Sequence, residues 1–124
     1  MKLEHTALSI SKPEDIKDFY QDILGMERVK EFTLSDSMAN DIFGIPKDTT
    51  VFLYRSGQTF FELFLIDRPQ RHNFNHTCLA FDDKKSIFHK AQQKGYNTIR
   101  KQKEHSELFF IQDNSGNLFE LKDK

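Results

Sequence analysis

The run HTALSI at residues 5–10 recurs as HTCLAF at residues 76–81. Both runs begin with histidine and threonine and then alternate in the manner of a strand with one buried face. Two matching stretches far apart in one chain indicate an internal repeat, in which each copy is one structural unit. We therefore interpret the chain as one domain with a first module, residues 1–66, a linker, residues 67–75, and a second module, residues 76–124.

Each of the two runs is followed by the pattern of a helix that ends at a glycine. In the first module, Ser11 begins a capping-box pattern and the helix is expected to end at Gly25. In the second module, Asp82 or Asp83 can cap a helix that ends before Gly95. The apolar residues at helical intervals are Ile16, Phe19, Tyr20, Ile23 and Leu24 in the first helix, and Ile87, Phe88 and Ala91 in the second.

Each module closes with a hairpin. Ser56-Gly57 is expected to turn the first hairpin, which would put Val51 opposite Glu62, and residues 113–117 turn the second. The closing strands carry the matching tripeptides Phe-Glu-Leu at residues 61–63 and 119–121. The sequence therefore predicts an α+β fold in which two βαβββ modules form a curved mixed sheet, with helices on the convex face and a site in the concave face.

The first module is the longer of the two. The spacing from histidine to glutamate is 57 residues in the first module and 44 in the second. Residues 37–49 show little periodicity and contain Gly44 and Pro46, so we expect the insertion there. We interpret it as an exposed loop or a lid.

Strand alternation assigns four ionisable residues to the same side of the sheet. His5 and His76 each share a strand face with small residues, while Glu62 and Glu120 lie on the face opposite their Phe and Leu neighbours. The small residues are Ala7, Ser9, Cys78 and Ala80. Buried ionisable groups are costly unless they are paired or bind a metal, so we expect His5, Glu62, His76 and Glu120 to converge on one divalent ion.

Imidazole nitrogen and carboxylate oxygen together suit the borderline ions Zn, Ni, Co, Mn and Fe(II). Four protein ligands in an octahedral shell leave two adjacent positions open. Two neighbouring oxygens of a small-molecule substrate can occupy them.

The run at residues 5–8, together with FYQDILGM at residues 19–26, resembles the glyoxalase, bleomycin-resistance and extradiol-dioxygenase superfamily, also called vicinal oxygen chelate proteins. Residues 113–121 resemble the closing hairpin of that superfamily, although Asn114 stands where a proline is common. By resemblance to glyoxalase I, the metal ligands are implied at His5, Glu62, His76 and Glu120. The resemblance also implies that Glu120 or Glu62 is the catalytic base.

Two departures from glyoxalase I bear on the substrate. Ser9 stands where an arginine would bind glutathione, and Ile66 where an asparagine is expected. We therefore expect a metal-dependent lyase or isomerase that acts on a small α-oxo or α-hydroxycarbonyl compound, not on a standard glutathione adduct, through an enediolate stabilised by the metal. Two alternatives stay open: an Fe(II) dioxygenase that cleaves catechol rings, and a metal-free protein that sequesters an antibiotic or another planar ligand.

The composition excludes several partners. The net charge is -1, and the basic run Arg100–Lys103, interpreted as a solvated loop, is too short to follow a phosphate backbone, so we expect no nucleic-acid binding. No stretch is long and apolar enough to cross a membrane, and residues 1–11 do not resemble a secretion signal, so we expect a cytoplasmic protein. Cys78 is interpreted as a small buried residue and not as a nucleophile.

Several polar residues are given no role. His72, His89 and His105 are interpreted as solvated, and Arg55 as either a rim residue for an anionic substrate group or a surface partner of a nearby acid. The linker allows the modules to pair within one chain or to exchange with a second chain. We expect a homodimer.

Overall fold

The computed structural model describes residues 1–68 and 74–124. The first module comprises β1 (Thr6–Ile10), a π-helix (Ile16–Gln21), β2 (Glu27–Leu34), α1 (Asp36–Phe43), β3 (Thr49–Ser56) and β4 (Thr59–Leu65). The second comprises β5 (Thr77–Phe81), α2 (Lys84–Gln93), β6 (Asn97–Lys103), β7 (Ser106–Gln112) and β8 (Leu118–Asp123). The predicted α+β fold and its repeated element order are confirmed. His72 lies outside the described residues.

Each module forms its own four-stranded mixed sheet. The strand orders are β1-β4-β3-β2 and β5-β8-β7-β6, in which β1 runs parallel to β4 and β5 parallel to β8. Because each parallel pair joins the first strand of a module to its last, the histidine that precedes the first strand comes close to the glutamate of the last strand. The repeat in the sequence is therefore a repeat of site geometry.

The two sheets share one aromatic core. Tyr20 of the π-helix is fully buried and lies edge-on to both Phe61 of β4 and Phe119 of β8, and the rings of the two phenylalanines are 6.0 Å apart. Side chains alternate along a strand, so Glu62 and Glu120 are on the faces that point away from this core. The helix-packed faces predicted from the phenylalanines and leucines are confirmed.

The start of the first helix differs from the prediction. Ser11 does not cap it, because its amide and its hydroxyl both donate to Ser115 Oγ, at 2.7 and 3.2 Å. The helix is also wider than an α-helix, since the amide of Asp22 donates to Lys17 O at 2.9 Å, five residues back. A long-range partner thus replaces the local cap that the spacing indicated.

The insertion in the first module contains a helix, α1, where a loop was expected. Ser35 Oγ accepts from the amide of Met38 at 3.2 Å, and Gly44 ends the helix with a φ of 71°. Ala39 is 2% exposed, so α1 packs against the protein on the Glu62 side of the first sheet. The sequence contains a signal for this helix: two apolar pairs, Met38-Ala39 and Ile42-Phe43, lie four residues apart, a spacing that is typical of one face of a short helix.

Two strand-level interpretations also need correction. Arg100–Lys103 lies in the edge strand β6, not in a loop, and Arg100 forms an ion pair with Glu107 of β7. The two residues between β3 and β4 are Gly57 and Gln58, so Leu53 and not Val51 is registered opposite Glu62. The register moves by two residues, which leaves the predicted faces unchanged.

Two buried aspartates connect the modules. Asp113 is 4% exposed and accepts from the amides of Ser115 and Asn117, from Asn117 Nδ2 and from the Tyr20 hydroxyl, each within 2.9 Å. Asp15 is fully buried. It accepts hydrogen bonds from the Tyr96 hydroxyl and from the backbone amide of Asn114, each at 2.8 Å. The turn at residues 113–117, predicted as a hairpin loop, is therefore also hydrogen-bonded to the π-helix and to the residue that precedes it.

Within the described residues, no helix has the length and the apolar character that crossing a membrane requires.

Candidate metal centre

The first half of the candidate centre is a pair formed by His5 and Glu62. His5 directly precedes β1, and its Nε2 lies 2.7 Å from Oε1 of Glu62 in β4. In the parallel register Ala7 lies beside Glu62, so His5, two residues earlier on the same face, reaches across to the carboxylate. The predicted ligands His5 and Glu62 are thus in contact with each other.

The second half repeats this arrangement with His76 and Glu120. His76 directly precedes β5, and its Nε2 lies 3.6 Å from Oε2 of Glu120 in β8. The other ring nitrogen, Nδ1, lies 3.0 Å from the backbone carbonyl of Phe74. A proton on Nδ1 would donate to that carbonyl and leave Nε2 with a free lone pair toward Glu120, which is the form in which imidazole binds metals.

The two pairs have nearly the same exposure. The side chains of His5 and His76 are 45% and 43% exposed, and those of Glu62 and Glu120 are 18% and 17% exposed. Each carboxylate is therefore mostly covered while its imidazole stays open to solvent. An incoming ion or ligand would meet both pairs from the solvent side.

The four side chains form two pairs and not one cluster. Across residues 1–68 and 74–124, no group of three or more His, Cys, Asp or Glu side chains is placed to hold a metal ion. The geometry follows from the shared core, because both sheets turn their Phe-Leu faces inward and their glutamates outward. In the sheets of the described residues, β1 and β5, which follow the two histidines, are edge strands.

The surroundings of the first pair are apolar. Leu53 is registered beside Glu62, and Phe64 follows two residues later on the same face. A cavity of about 470 Å³ begins at Ala7, next to Glu62, and extends beneath α1. Arg55, interpreted from the sequence as a rim residue or a surface partner of an acid, forms an ion pair with Glu27 at 3.0 Å.

The second pair has a more polar environment. Lys122 Nζ lies 3.2 Å from Oε1 of Glu120, the oxygen that does not face His76. Cys78 is registered beside Glu120 and is exposed, where a buried position was expected. Partial burial of the thiol and the nearby Glu120 carboxylate raise the pKa of Cys78, which disfavours a thiolate nucleophile at neutral pH.

The remaining histidines in the described part of the chain lie elsewhere. His89 is exposed on α2, where its Nδ1 is 3.3 Å from Gln92 Oε1, and His105 is exposed between β6 and β7. The sequence interpretation missed Lys122 and the wall formed by α1. Strand alternation could have identified Lys122, because it lies two residues after Glu120 and therefore on the same face of β8.

Comparisons with known proteins agree with this architecture. The chain is similar to a glyoxalase family protein from Enterococcus faecalis (18% identity, TM-score 0.72, covering 97% of this chain and 95% of that one). It is also similar to one from Bacillus cereus (13% identity, TM-score 0.76, covering 98% and 92%). A third similar structure is a mutant fosfomycin resistance protein from Listeria monocytogenes, complexed with Mn(II) and a dihydroxypropylphosphonic acid (14% identity, TM-score 0.75, covering 99% and 92%).

Among curated proteins, none matches the chain significantly. The solved structures share so little sequence with the chain that they establish its fold alone. The family model for the Glyoxalase/Bleomycin resistance protein/Dioxygenase superfamily, in contrast, matches residues 2–121. The chain belongs to this superfamily.

Proposed function

We propose that this protein is a metal-dependent lyase or isomerase that acts on a small α-oxo or α-hydroxycarbonyl compound. The observation that carries the proposal is the pair of repeated His–Glu contacts, His5 with Glu62 and His76 with Glu120. Two imidazole nitrogens and two carboxylate oxygens suit Zn, Ni, Co, Mn or Fe(II). The Mn(II) bound in a protein of similar fold supports a divalent ion here.

We further propose that two copies of the chain assemble each centre. The strands β1 and β5 lie at the edges of their sheets, where a second copy can pack. Bringing β1 of one copy beside β5 of the other would join the His5–Glu62 pair of the first with the His76–Glu120 pair of the second. In a symmetric homodimer, this contact would form twice and give two equivalent centres.

The residues of the chain would have separate roles in such a centre. A bound divalent ion supplies Lewis-acid stabilisation to a carbonyl or hydroxyl oxygen of the substrate. Glu62 or Glu120 would take the proton from the carbon α to the substrate carbonyl and return it to the former carbonyl carbon. One oxygen of Glu120 is held by Lys122 at 3.2 Å and one oxygen of Glu62 by His5 at 2.7 Å, so both carboxylates stay candidates for the base.

Metal analysis of protein purified without a chelator tests the first step. Wild-type protein should retain about one divalent ion per chain, while the His5→Ala, His76→Ala double variant should retain none and keep its circular dichroism. His89→Ala with His105→Ala is the matched control and should bind metal normally, because both residues lie outside the centre. Wild-type protein that binds no Mn, Ni, Co, Zn or Fe(II) on titration would refute the proposal and favour a metal-free binding protein.

The chemistry is tested by hydrogen exchange. Metal-loaded protein should exchange the hydrogens next to the carbonyl of hydroxyacetone with solvent deuterium, as followed by proton NMR. Glu62→Gln and Glu120→Gln together should abolish the exchange while the protein remains folded. Oxygen uptake with a catechol by the Fe(II)-loaded protein, without such exchange, would instead identify a ring-cleaving dioxygenase.

A further inference from the structure

A cavity of about 470 Å³ lies on the Glu62 side of the first sheet, beneath α1. Its volume falls within the range of about 300–1,000 Å³ that is typical of small-molecule sites. The floor includes Ala7 and Ser9 of β1, whose short side chains leave space above the sheet. The cavity is therefore large enough for part of a substrate.

The walls of the cavity are apolar. They are formed by Leu34, Ala39, Phe43, Ile45 and Phe64. The Phe43 and Phe64 rings meet edge to face with centroids 5.7 Å apart, so α1 is fixed against β4 at this point. Lys47, Asp67 and Arg68 line the charged end of the cavity, where Lys47 is paired with Asp67 at 2.6 Å. The apolar part of the wall suits a hydrocarbon or aromatic group.

The cavity adjoins the candidate metal centre, although His5 and Glu62 themselves do not line it. Ala7 lines it and is registered beside Glu62, and Phe64 is the next residue of β4 on the Glu62 face. Two residues of a strand span about 7 Å, so a substituent of that length would reach from Glu62 to the wall of the cavity. The second module has no such wall, because in place of the insertion only residues 104–105 separate β6 from β7.

We infer that the cavity under α1 is a specificity pocket that binds an aliphatic or aromatic substituent of the substrate, while the two neighbouring oxygens of the same molecule are held at the centre. This inference rests on the proposed function and narrows its substrate class. The preferred substrate is a carbonyl compound with an apolar tail, not the smallest member of its series. The insertion of the first module is then the element that selects the substrate.

Alkyl hydroxamates test the inference, because each presents two adjacent oxygens to a metal and a tail of chosen length. For Mn(II)-loaded protein, affinity should rise from acetohydroxamate to hexanohydroxamate by up to about fourfold per buried methylene and by at least about tenfold in total. Ala39→Phe fills the cavity and should remove this rise while leaving acetohydroxamate affinity unchanged. Asn40→Phe adds the same ring at an exposed position of α1 and should keep the rise.

Phe43→Ala is a second variant, at a half-exposed position where folding is less sensitive. It removes one wall and should reduce the affinity for hexanohydroxamate but not for acetohydroxamate. Equal affinities of wild-type protein for the short and long hydroxamates would overturn the inference and leave the metal centre standing. Variants that lose affinity for both ligands equally would also overturn it.

Metal-free protein separates the pocket from the centre. Anilinonaphthalene sulfonate should bind it with enhanced fluorescence, hexanoate should displace the dye, and Ala39→Phe but not Asn40→Phe should abolish the binding. This result with no metal binding would refute the proposed function and retain the apolar pocket. Dye binding that is absent, or unchanged by Ala39→Phe, would overturn the pocket even if the protein binds metal.

Discussion

At the residue scale, the carboxylates of this protein divide into two kinds. Glu62 and Glu120 face outward beside histidines. Their outward direction was predicted from strand alternation, because each glutamate stands between a phenylalanine and a leucine that face the core. Asp15 and Asp113 are buried and accept hydrogen bonds from tyrosines of the core, at 2.8 Å each. No local sequence pattern indicates this second role, since an aspartate in a turn or near a helix start usually accepts a hydrogen bond from a nearby backbone amide.

Replacing Asp113 with Asn should destabilise the fold. Asp113 accepts four hydrogen bonds, and an amide would direct its own N–H groups at some of those donors. We expect the free energy of unfolding to fall by about 2–4 kcal/mol, measured by urea titration. Asp22→Asn, which within the described residues affects ion pairs with Lys17 and Lys94 near the surface, should produce a much smaller change. Equal effects of the two variants would contradict a central role for Asp113.

The tyrosines of the aspartate network predict an alkaline transition. Burial and the neighbouring carboxylates raise the pKa values of Tyr20 and Tyr96 well above the ordinary value of 10.0. In the unfolded chain both lose their protons near pH 10, so the folded state binds more protons and its stability falls as the pH rises from about 10 toward the folded pKa values. The slope should approach about 1.4 kcal/mol per pH unit for each tyrosine.

Absorbance of the phenolate checks this expectation. On alkaline titration, the phenolate absorbance of Tyr20 and Tyr96 should appear together with the loss of circular dichroism. Tyr54, whose pKa is raised less, should ionise earlier. Tyr20→Phe and Tyr96→Phe should each reduce the pH slope of stability while lowering stability at neutral pH through the lost hydrogen bond. Ionisation of Tyr20 or Tyr96 near pH 10 in folded protein would argue against the network.

At the element scale, a helix or strand could be predicted where its hydrophobic pattern is long and regular. The repeated strand, helix and hairpin patterns are long and periodic, and their elements are present as expected. α1 was missed because it has only two apolar turns, and the last part of β6, Arg100–Lys103, was interpreted as a loop because this exposed edge strand carries charges. The capping box at Ser11 failed because Ser115, distant in sequence, competes for the same groups.

The start of α2 offers a test at this scale. The sequence allowed Asp82 or Asp83 as the cap, and in the structure Asp83 Oδ1 accepts from the amides of Lys85 and Ser86 at 3.1 and 3.2 Å. Asp83→Ala should lower the free energy of unfolding by about 1 kcal/mol. Asp82→Ala is the matched control and should have almost no effect, since Asp82 contacts only Lys124 at 3.6 Å among the ion pairs of the described residues. The midpoint of thermal unfolding, followed for both variants, decides between them.

At the scale of the whole molecule, alternation along strands fixes faces but not the placement of one sheet against another. The sequence predicted that His5, Glu62, His76 and Glu120 meet at one ion, whereas one chain brings them together as two His–Glu pairs. It could not predict that both sheets turn toward one core built around Tyr20, because that depends on aromatic contacts such as Phe61 with Phe119. This packing directs the two pairs outward, and it is the physical reason to expect that a second copy completes each centre.

Mixed dimers test the shared centre directly. If His5 of one copy and His76 of the other bind the same ion, each single variant, His5→Ala or His76→Ala, lacks one imidazole at both centres and should bind metal poorly. A heterodimer of the two variants has one centre with both changes and one with neither. With equal amounts and free exchange, half of the dimers are mixed, so Mn(II) binding should recover to about one quarter of the wild-type level. Separately purified proteins mixed without exchange provide the baseline. If each centre lay within one chain, every centre in every dimer would carry one substitution, and co-expression would restore nothing.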